Sequence, residues 1–289
     1  MLKPFRLLEP STVAEAAAEL VGEETKIYAG GAELLLLLRH GLLDAATLVN
    51  IKRIASLNEV SWDGSHLRIG STVTHHRLET DPLVRQHLPM LANAESHIGN
   101  IRVRSQGTLG GNLCFADPHA DPATALLVHE AMVTAAGKEK SRQLSLQEFL
   151  VGMYETALQP DELLTEVRVP PLPAGWGHAY LRIERFYRPT VNVAAAARLR
   201  DGRLEGVRLA TGCIGPKAQR LFELESKLSG LPLEEAERVT AESKPYLTNE
   251  LSPVDDLLGS ADYKIHVTSV LLRKALVQSA RDGGEIKDG

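Results

Sequence analysis

Two short stretches hold the residues best suited to chemistry. They are Ile27-Tyr28-Ala29-Gly30-Gly31-Ala32-Glu33-Leu34 and Gly107-Thr108-Leu109-Gly110-Gly111-Asn112-Leu113, each reading as a strand that runs into a turn. Adjacent glycines admit φ > 0 and let successive backbone N–H groups face one concave side. At a helix N-terminus such a nest takes phosphate oxygens without a lysine. Two nests can hold the two halves of a dinucleotide pyrophosphate. A single Gly-Gly is by default a tight turn; the pairing, with Thr108, Asn112 and Asp121 close by, is what points to a ligand.

The other constellations are weaker. No GxGxxG and no GxxxxGK[ST] occurs, so neither the usual Rossmann fingerprint nor an ATPase P-loop is present. His75-His76 are adjacent on a predicted helix and do not face one another, which favours a solvated or capping role. His119 reads as a loop histidine satisfied locally. Arg102 and Arg104 share one face if they lie on a strand or turn, toward phosphate, a partner, or surface ion pairs. His129-Glu130 lacks the second histidine of HExxH, and Met153-Tyr154 reads as core. The two cysteines, Cys114 and Cys213, match no zinc or CxxC spacing and are too few for an iron–sulfur cluster. No metal site and no catalytic acid–base dyad or nucleophile is expected.

These segments need elements to hold them. Ser11-Thr12 with Glu15 predicts a capped helix over Val13–Leu20. A strand over Lys26–Ala29 leads to a helix over Ala32–His40 that Gly41 stops, and Thr47–Ile51 is a strand. Asp63-Gly64 predicts a hairpin between Glu59–Trp62 and Leu67–Gly70. Thr74 caps a helix through Leu78, and Leu88–Ile98 is helical by periodicity. Strands follow at Ala131–Ala135, Arg142–Leu144 and Leu163–Val169. The PPLPAGWG stretch then divides the chain into domains 1–175 and 176–289. Beyond it come strands Ala179–Phe186, Val191–Leu199 and Leu204–Gly212, the last two joined at Asp201-Gly202. Helices Lys217–Leu228, Leu233–Ser243 and Ala261–Ala280 close the chain, and the RDGGEIKDG tail reads as frayed.

Bulk properties exclude some classes. A net charge of −5 with no basic block argues against nucleic acid. The longest apolar run near the start, Leu34–Leu38, is too short for a membrane span, and the opening residues lack a signal-peptide pattern. Cytosol is the expected compartment.

YAGGAEL and TLGGNLCFADPHAD resemble the two FAD-binding signatures of the flavin subunit of molybdenum hydroxylases. That family includes carbon monoxide dehydrogenase medium subunits and the flavin domain of xanthine dehydrogenase. The resemblance spans the chain: IGNIRVRSQGTLGGN, the strand near Val191–Arg198, LATGCIGPKAQRL and YKIHVTSVLLRKAL fall in the family's order. It implies an α+β fold. A two-lobed FAD-binding domain of the vanillyl-alcohol-oxidase/CO-dehydrogenase flavoprotein type comes first, then a smaller antiparallel-sheet-plus-helices domain.

The resemblance also implies site residues. Ala29, Gly30, Gly31, Ala32, Glu33 and Leu34 fall where the first signature wraps the FAD diphosphate and the adenosine-side ribose. Thr108, Gly110, Gly111 and Asn112 fall on the second, which holds the diphosphate and ribityl region. Asp121 matches an aspartate that contacts the cofactor through its carboxylate, and Cys114 sits at a backbone or apolar contact. Arg182 aligns with a basic position near the flavin that is more often lysine; Ile98 stands where some relatives have an aromatic, and Leu164 touches the flavin edge. Tyr187 lies in a segment that passes near the isoalloxazine. Gly111 is expected at φ > 0, so a β-branched replacement there abolishes FAD retention.

The implied function is electron transfer from [2Fe–2S] clusters of a small iron–sulfur subunit, through FAD, to an external acceptor. A large molybdenum subunit carrying molybdopterin hydroxylates the substrate, in a heterotrimer or a dimer of heterotrimers. Substrate and acceptor stay open. A stand-alone flavin oxidoreductase and a flavin-free assembly subunit are the alternatives.

Overall fold

The computed structural model describes residues 3–20, 22, 24–185 and 187–283. Residues 284–289 of the tail read as frayed, and Phe186 at the end of one predicted strand, lie outside them. The chain opens with a small parallel sheet in which Thr47–Asn50 lies between Arg6–Leu8 and Thr25–Tyr28. Thr12 Oγ1 accepts from Glu15 N–H while Ser11 N–H donates 2.8 Å to the Glu15 carboxylate, so the capped helix forms over Val13–Ala18. The Thr25–Tyr28 strand runs into Gly30-Gly31 and then the Leu34–His40 helix, closed by Gly41 at φ 68°. None of that helix's five leucines is buried; Leu34 and Leu37 face a cleft instead of a core.

A five-stranded antiparallel sheet follows, ordered Val60–Trp62, Leu67–Gly70, Leu163–Val169, Met132–Ala136, Ser141–Ser145. The Asp63-Gly64 hairpin is present, with Gly64 at φ 97°. Short helices pack against it, among them His75–Thr80, Pro89–Ser96, Ile101–Gln106, Leu109–Phe115 and Pro122–Val128. The third sheet, also antiparallel, orders Gly177–Arg185, Arg188–Arg200, Arg203–Gly212 and Gln219–Arg220.

Strand Arg188–Arg200 is buried on both faces, which explains its unbroken VNVAAAA run. Ala194 and Ala196 join the core shared with the first lobe. Val193, Ala195 and Ala197 face the C-terminal helices, including Ala261–Asp282. The period-2 alternation therefore welds the two lobes through one strand. Asp201 and Gly202 take φ 51° and 73°, the two positive values a type I′ turn requires.

Three expectations are corrected. The helix predicted from Lys217 begins only at Phe222, because Gln219–Arg220 pair with Ala210 and Thr211 at the sheet edge. A separate helix, Lys244–Glu250, follows Leu233–Ala241. Met153 and Tyr154 sit at the tip of the Leu150–Gly152/Glu155–Thr156 ribbon, 50% and 55% exposed, and not in the core. Among the described residues no helix is long and apolar enough to cross a membrane.

His129 ends the Pro122–Val128 helix and donates from Nδ1 to Pro170 O at 3.0 Å, tying that helix to the interlobe stretch. Burial pushes this imidazole from 6.5 down to about 4. The unfolded chain thus takes up a proton at higher pH than the folded one. Stability is retained above pH 6.5 and lost as pH falls through the window to about 4, by up to about 3 kcal/mol. A urea midpoint that falls over this window in the wild type, and falls less in His129→Gln, is the expected result; parallel curves would remove the assignment.

Candidate functional site

A cleft of about 780 Å³ opens in the first lobe, with residues 187–189 at its edge, within the range of roughly 300–1,000 Å³ seen for cofactor sites. Both diglycine segments line it: Ala29, Gly30, Gly31, Ala32, Glu33 and Leu34 from one wall, and Thr108, Gly110, Gly111 and Asn112 from the other. They touch. A Cβ on Gly30 would lie 2.2 Å from Gln106 O and 3.0 Å from Gly107 Cα. Only glycine permits that approach.

The two segments are built differently. The first follows the expected strand-to-turn path, with Gly31 at φ 79°. Among the described residues, the backbone N–H groups of Gly30, Gly31, Ala32, Glu33 and Leu34 have no acceptor. The second segment leaves a helix, Ile101–Gln106, and enters another, Leu109–Phe115, whose first turn contains both glycines. Its amides are already used. Gly110 N–H donates to Ser71 O at 2.9 Å, Asn112 N–H to Thr108 O at 2.9 Å, and Gly111 N–H to Thr108 Oγ1 at 3.1 Å.

Neither Gly110 nor Gly111 has positive φ, which corrects the expectation for Gly111. Glycine is needed at 110 for closeness: a Cβ there would lie 2.5 Å from Ser71 Cβ and 2.6 Å from Ser71 O. The nest of free amides is therefore single. The second wall contributes close backbone approach and the Asn112 side chain.

Ile98, Cys114, Asp121 and Leu164 also line the cleft, as expected. Asp121 is buried and locked from behind. Tyr180 Oη donates to its Oδ1 at 2.5 Å, Arg182 Nη1 to its Oδ2 at 2.8 Å, and Asn192 Nδ2 stands 3.4 Å from Oδ1. Burial first, and the Asp121 charge second, push the Tyr180 hydroxyl well above its ordinary range, so it stays a donor. Arg182 does not line the cleft. It stands behind Asp121 and also pairs with Glu184.

Burial pushes the Cys114 thiol up to about 12 and the Cys213 thiol well above its usual range. Both are neutral and unreactive. Native protein treated with iodoacetamide near pH 8 is expected to show no alkylation by mass spectrometry, and two additions after unfolding; rapid native labelling of Cys114 would contradict the packing around it.

The cleft's mouth joins residues the sequence singled out with others, Phe115, Asp117 and Arg188, that it did not. Arg188 pairs with Asp117 at 2.6 Å, and the Phe115 and Tyr154 rings meet at 5.1 Å between centroids. Tyr154 and Tyr187 both line the cleft, and both hold positive φ, 57° and 65°. The Glu33 carboxyl is raised by burial, then by Asp117, and opposed by Arg188. His119 is held between Pro189 O and Asp256 Oδ2, each at 2.9 Å, and fully buried Lys264 pairs with the same Asp256.

Arg102 and Arg104 lie on a helix, so they do not share a face. Arg104 donates to Glu79 Oε2 at 2.9 Å and to Ile98 O at 3.1 Å, a structural role. His75 is neither solvated nor a cap: Thr74 caps that helix, and His75 is 3% exposed and lines the cleft.

The cleft fits the FAD that the resemblance implies. Free amides suit a diphosphate, bare glycine surfaces admit a ligand against backbone, and two buried acceptors facing the cleft, Asn112 Oδ1 and Ser71 Oγ, have no partner among the described residues.

Comparison with known proteins agrees. The family described as the FAD binding domain in molybdopterin dehydrogenase matches residues 3–172, and the CO dehydrogenase flavoprotein C-terminal domain matches 188–279. The chain is similar to the nicotine 6-hydroxylase medium subunit of Paenarthrobacter nicotinovorans, 32% identical over 96% of this chain and 98% of that one. It is also similar to the carbon monoxide dehydrogenase medium chain of Hydrogenophaga pseudoflava, 30% identical over 96% and 97%. Among solved structures, carbon monoxide dehydrogenase from the same organism superposes with a TM-score of 0.92 at 30% identity, over 96% and 98% of the two chains. Quinoline 2-oxidoreductase from Pseudomonas putida 86 gives 0.90 at 27%, over 98% and 99%. Matched over most of its length in sequence and fold, the chain belongs to the FAD-binding medium subunits of the molybdenum hydroxylase family and is an oxidoreductase subunit.

Proposed function

We propose that this subunit relays electrons from the [2Fe–2S] clusters of a small partner subunit to an external acceptor, within a complex whose large subunit carries molybdopterin. FAD supplies the redox chemistry when bound; the chain's own groups hold and orient it. Residues 1–175 form the cofactor lobe, and 176–289 complete the cleft with Tyr187, Arg188 and Pro189. The amides from Gly30 to Leu34 receive the diphosphate. Thr108 and Gly110 shape the opposite wall, and Asn112 Oδ1 accepts from a cofactor hydroxyl. Asp121 presents a fixed carboxylate edge that Tyr180 and Arg182 hold in place. Ile98, Cys114 and Leu164 provide the less polar surface.

The observation that carries this reading is the meeting of both diglycine segments in one cleft with a row of free amides. Cytosol remains the compartment we assign. The test is purification from the native source with analysis of flavin, molybdenum and iron. Two co-purifying subunits, one with iron and one with molybdenum, and substrate-dependent bleaching of the flavin are expected. A yellow chain that purifies alone and turns over an organic substrate would overturn the relay role while leaving FAD binding intact.

A further inference from the structure

A buried pair in the cleft floor has no part in the reading above. His75 is 3% exposed, and its Nδ1 lies 2.6 Å from Glu95 Oε2. Glu95 is fully buried, and its Oε1 has no partner among the described residues. The other edge of the imidazole lies against Gly107, where an added Cβ would sit 2.9 Å from Cδ2 and 3.3 Å from Nε2. Gly107 is also a neighbour of Gly30, so His75 stands where the two diglycine segments touch. Under Gly110 is Ser71, 2% exposed, with no partner for its Oγ among the described residues. Both side chains line the cleft.

A carboxylate accepting from Nδ1–H fixes the ring's orientation and leaves Nε2 on the opposite edge. We propose that His75, oriented by Glu95, is the cationic donor that receives the FAD diphosphate at the junction of the two glycine segments. The inference rests on the FAD reading and adds a full charge to the partial charges of the backbone amides. A diphosphate sunk in a partly dry cleft gains most from such a charge-assisted bond. Arg188, also in the cleft, is engaged by Asp117, and His119 by Asp256. Lys26 also lines the cleft, from the Thr25–Tyr28 strand four residues before Gly30.

The charged groups around the ring are few. Glu95 faces it from the Pro89–Ser96 helix. Asp121 and Glu79 act on Glu95 from farther off, with Arg104 from the Ile101–Gln106 helix bonded to Glu79 and Tyr180 bonded to Asp121. In the Pro82–His87 helix, Arg85 donates to Glu79 O and His87 stacks on Trp62. Burial raises the Glu95 carboxyl, and His75 opposes that rise. A diphosphate at Nε2 stabilises the imidazolium, so the complex holds more protons than the free protein. Affinity is therefore greatest at low pH and falls as pH rises.

The test uses the full-length apoprotein, titrated with FAD and separately with ADP-ribose, which keeps the diphosphate and lacks the flavin. Both ligands are expected to bind more weakly at about pH 9 than at about pH 6. His75→Gln, which keeps a neutral N–H, weakens both by roughly 10–100-fold at the lower pH and flattens the pH dependence. Glu95→Gln moves the fall in affinity to lower pH. Should His75→Gln not fold, as judged by circular dichroism, Glu95→Gln and the wild-type profile decide. Wild-type affinity for ADP-ribose that does not change with pH, or a folded His75→Gln matching the wild type at every pH, overturns the proposal. A wild-type chain that takes up no FAD at all would instead remove the FAD reading on which it rests.

Discussion

Replacing Gly30 by valine is expected to weaken FAD binding by roughly 100-fold or more, so that the protein purifies colourless. The added Cβ would fall 2.2 Å from Gln106 O and 3.0 Å from Gly107 Cα, and both are backbone atoms that cannot swing aside. The two walls must separate, and the amides of Gly30 to Leu34 then no longer oppose Asn112. Gly111→Ala is the informative comparison. Its Cβ would meet only Thr108 Oγ1, at 2.9 Å, and φ there is ordinary. The cost is a disturbed helix cap worth about 1 kcal/mol, or roughly fivefold in affinity. Flavin content and FAD titration of the two variants give the ranking. Equal losses, or a flavin-replete Gly30→Val, would show that the contact between the segments does not shape the site.

Asp121→Ala should lower folding stability by about 3 kcal/mol. The Arg182 guanidinium, 6% exposed, would keep only Glu184, which is 48% exposed, and the buried Tyr180 hydroxyl would lose its acceptor. Removing one partner of a buried pair leaves a charge without compensation, which costs more than the pair itself contributes. Asp121→Asn keeps an acceptor for Arg182 and should cost about 1 kcal/mol. Denaturant unfolding with unchanged slope measures both. An Asp121→Ala protein as stable as the wild type would mean that Arg182 finds another partner, and the view of Asp121 as a held edge would go with it.

Local signals carried most of the first lobe and the hairpin turn of the second. Asp63-Gly64, Asp201-Gly202 and Gly41 each need positive φ, and each marks its turn or cap without help from tertiary structure. The resemblance placed the site because the residues it rests on are contiguous in the chain. What it could not convey was the geometry of the second glycine segment. Ile101 and Val103 suggest a strand, yet Asn100 Oδ1 accepts from Arg102 and Val103 N–H and starts a helix. That cap was legible and outweighs the β-branched residues over so short a stretch. Thr108 caps the next helix in the same way, which turns an expected nest into a closed first turn. His75 and Glu95 are 20 residues apart on separate helices, and His119 and Asp256 are 137 apart. No local pattern foretells such pairs. Arg182 was assigned by position along the chain, and only packing shows that it backs Asp121 and does not line the cleft.

The central claim is that one FAD lies between the two glycine segments. Hydrogen exchange of the full-length apoprotein, with and without FAD added to saturation, tests it most directly. The prediction is uptake of one FAD per chain, with slowed exchange concentrated at the free amides of residues 30–34 and little change at 110–112, whose amides are already bonded within the protein. Protection appearing elsewhere with none at 30–34, or a chain that takes up no flavin, would contradict the account.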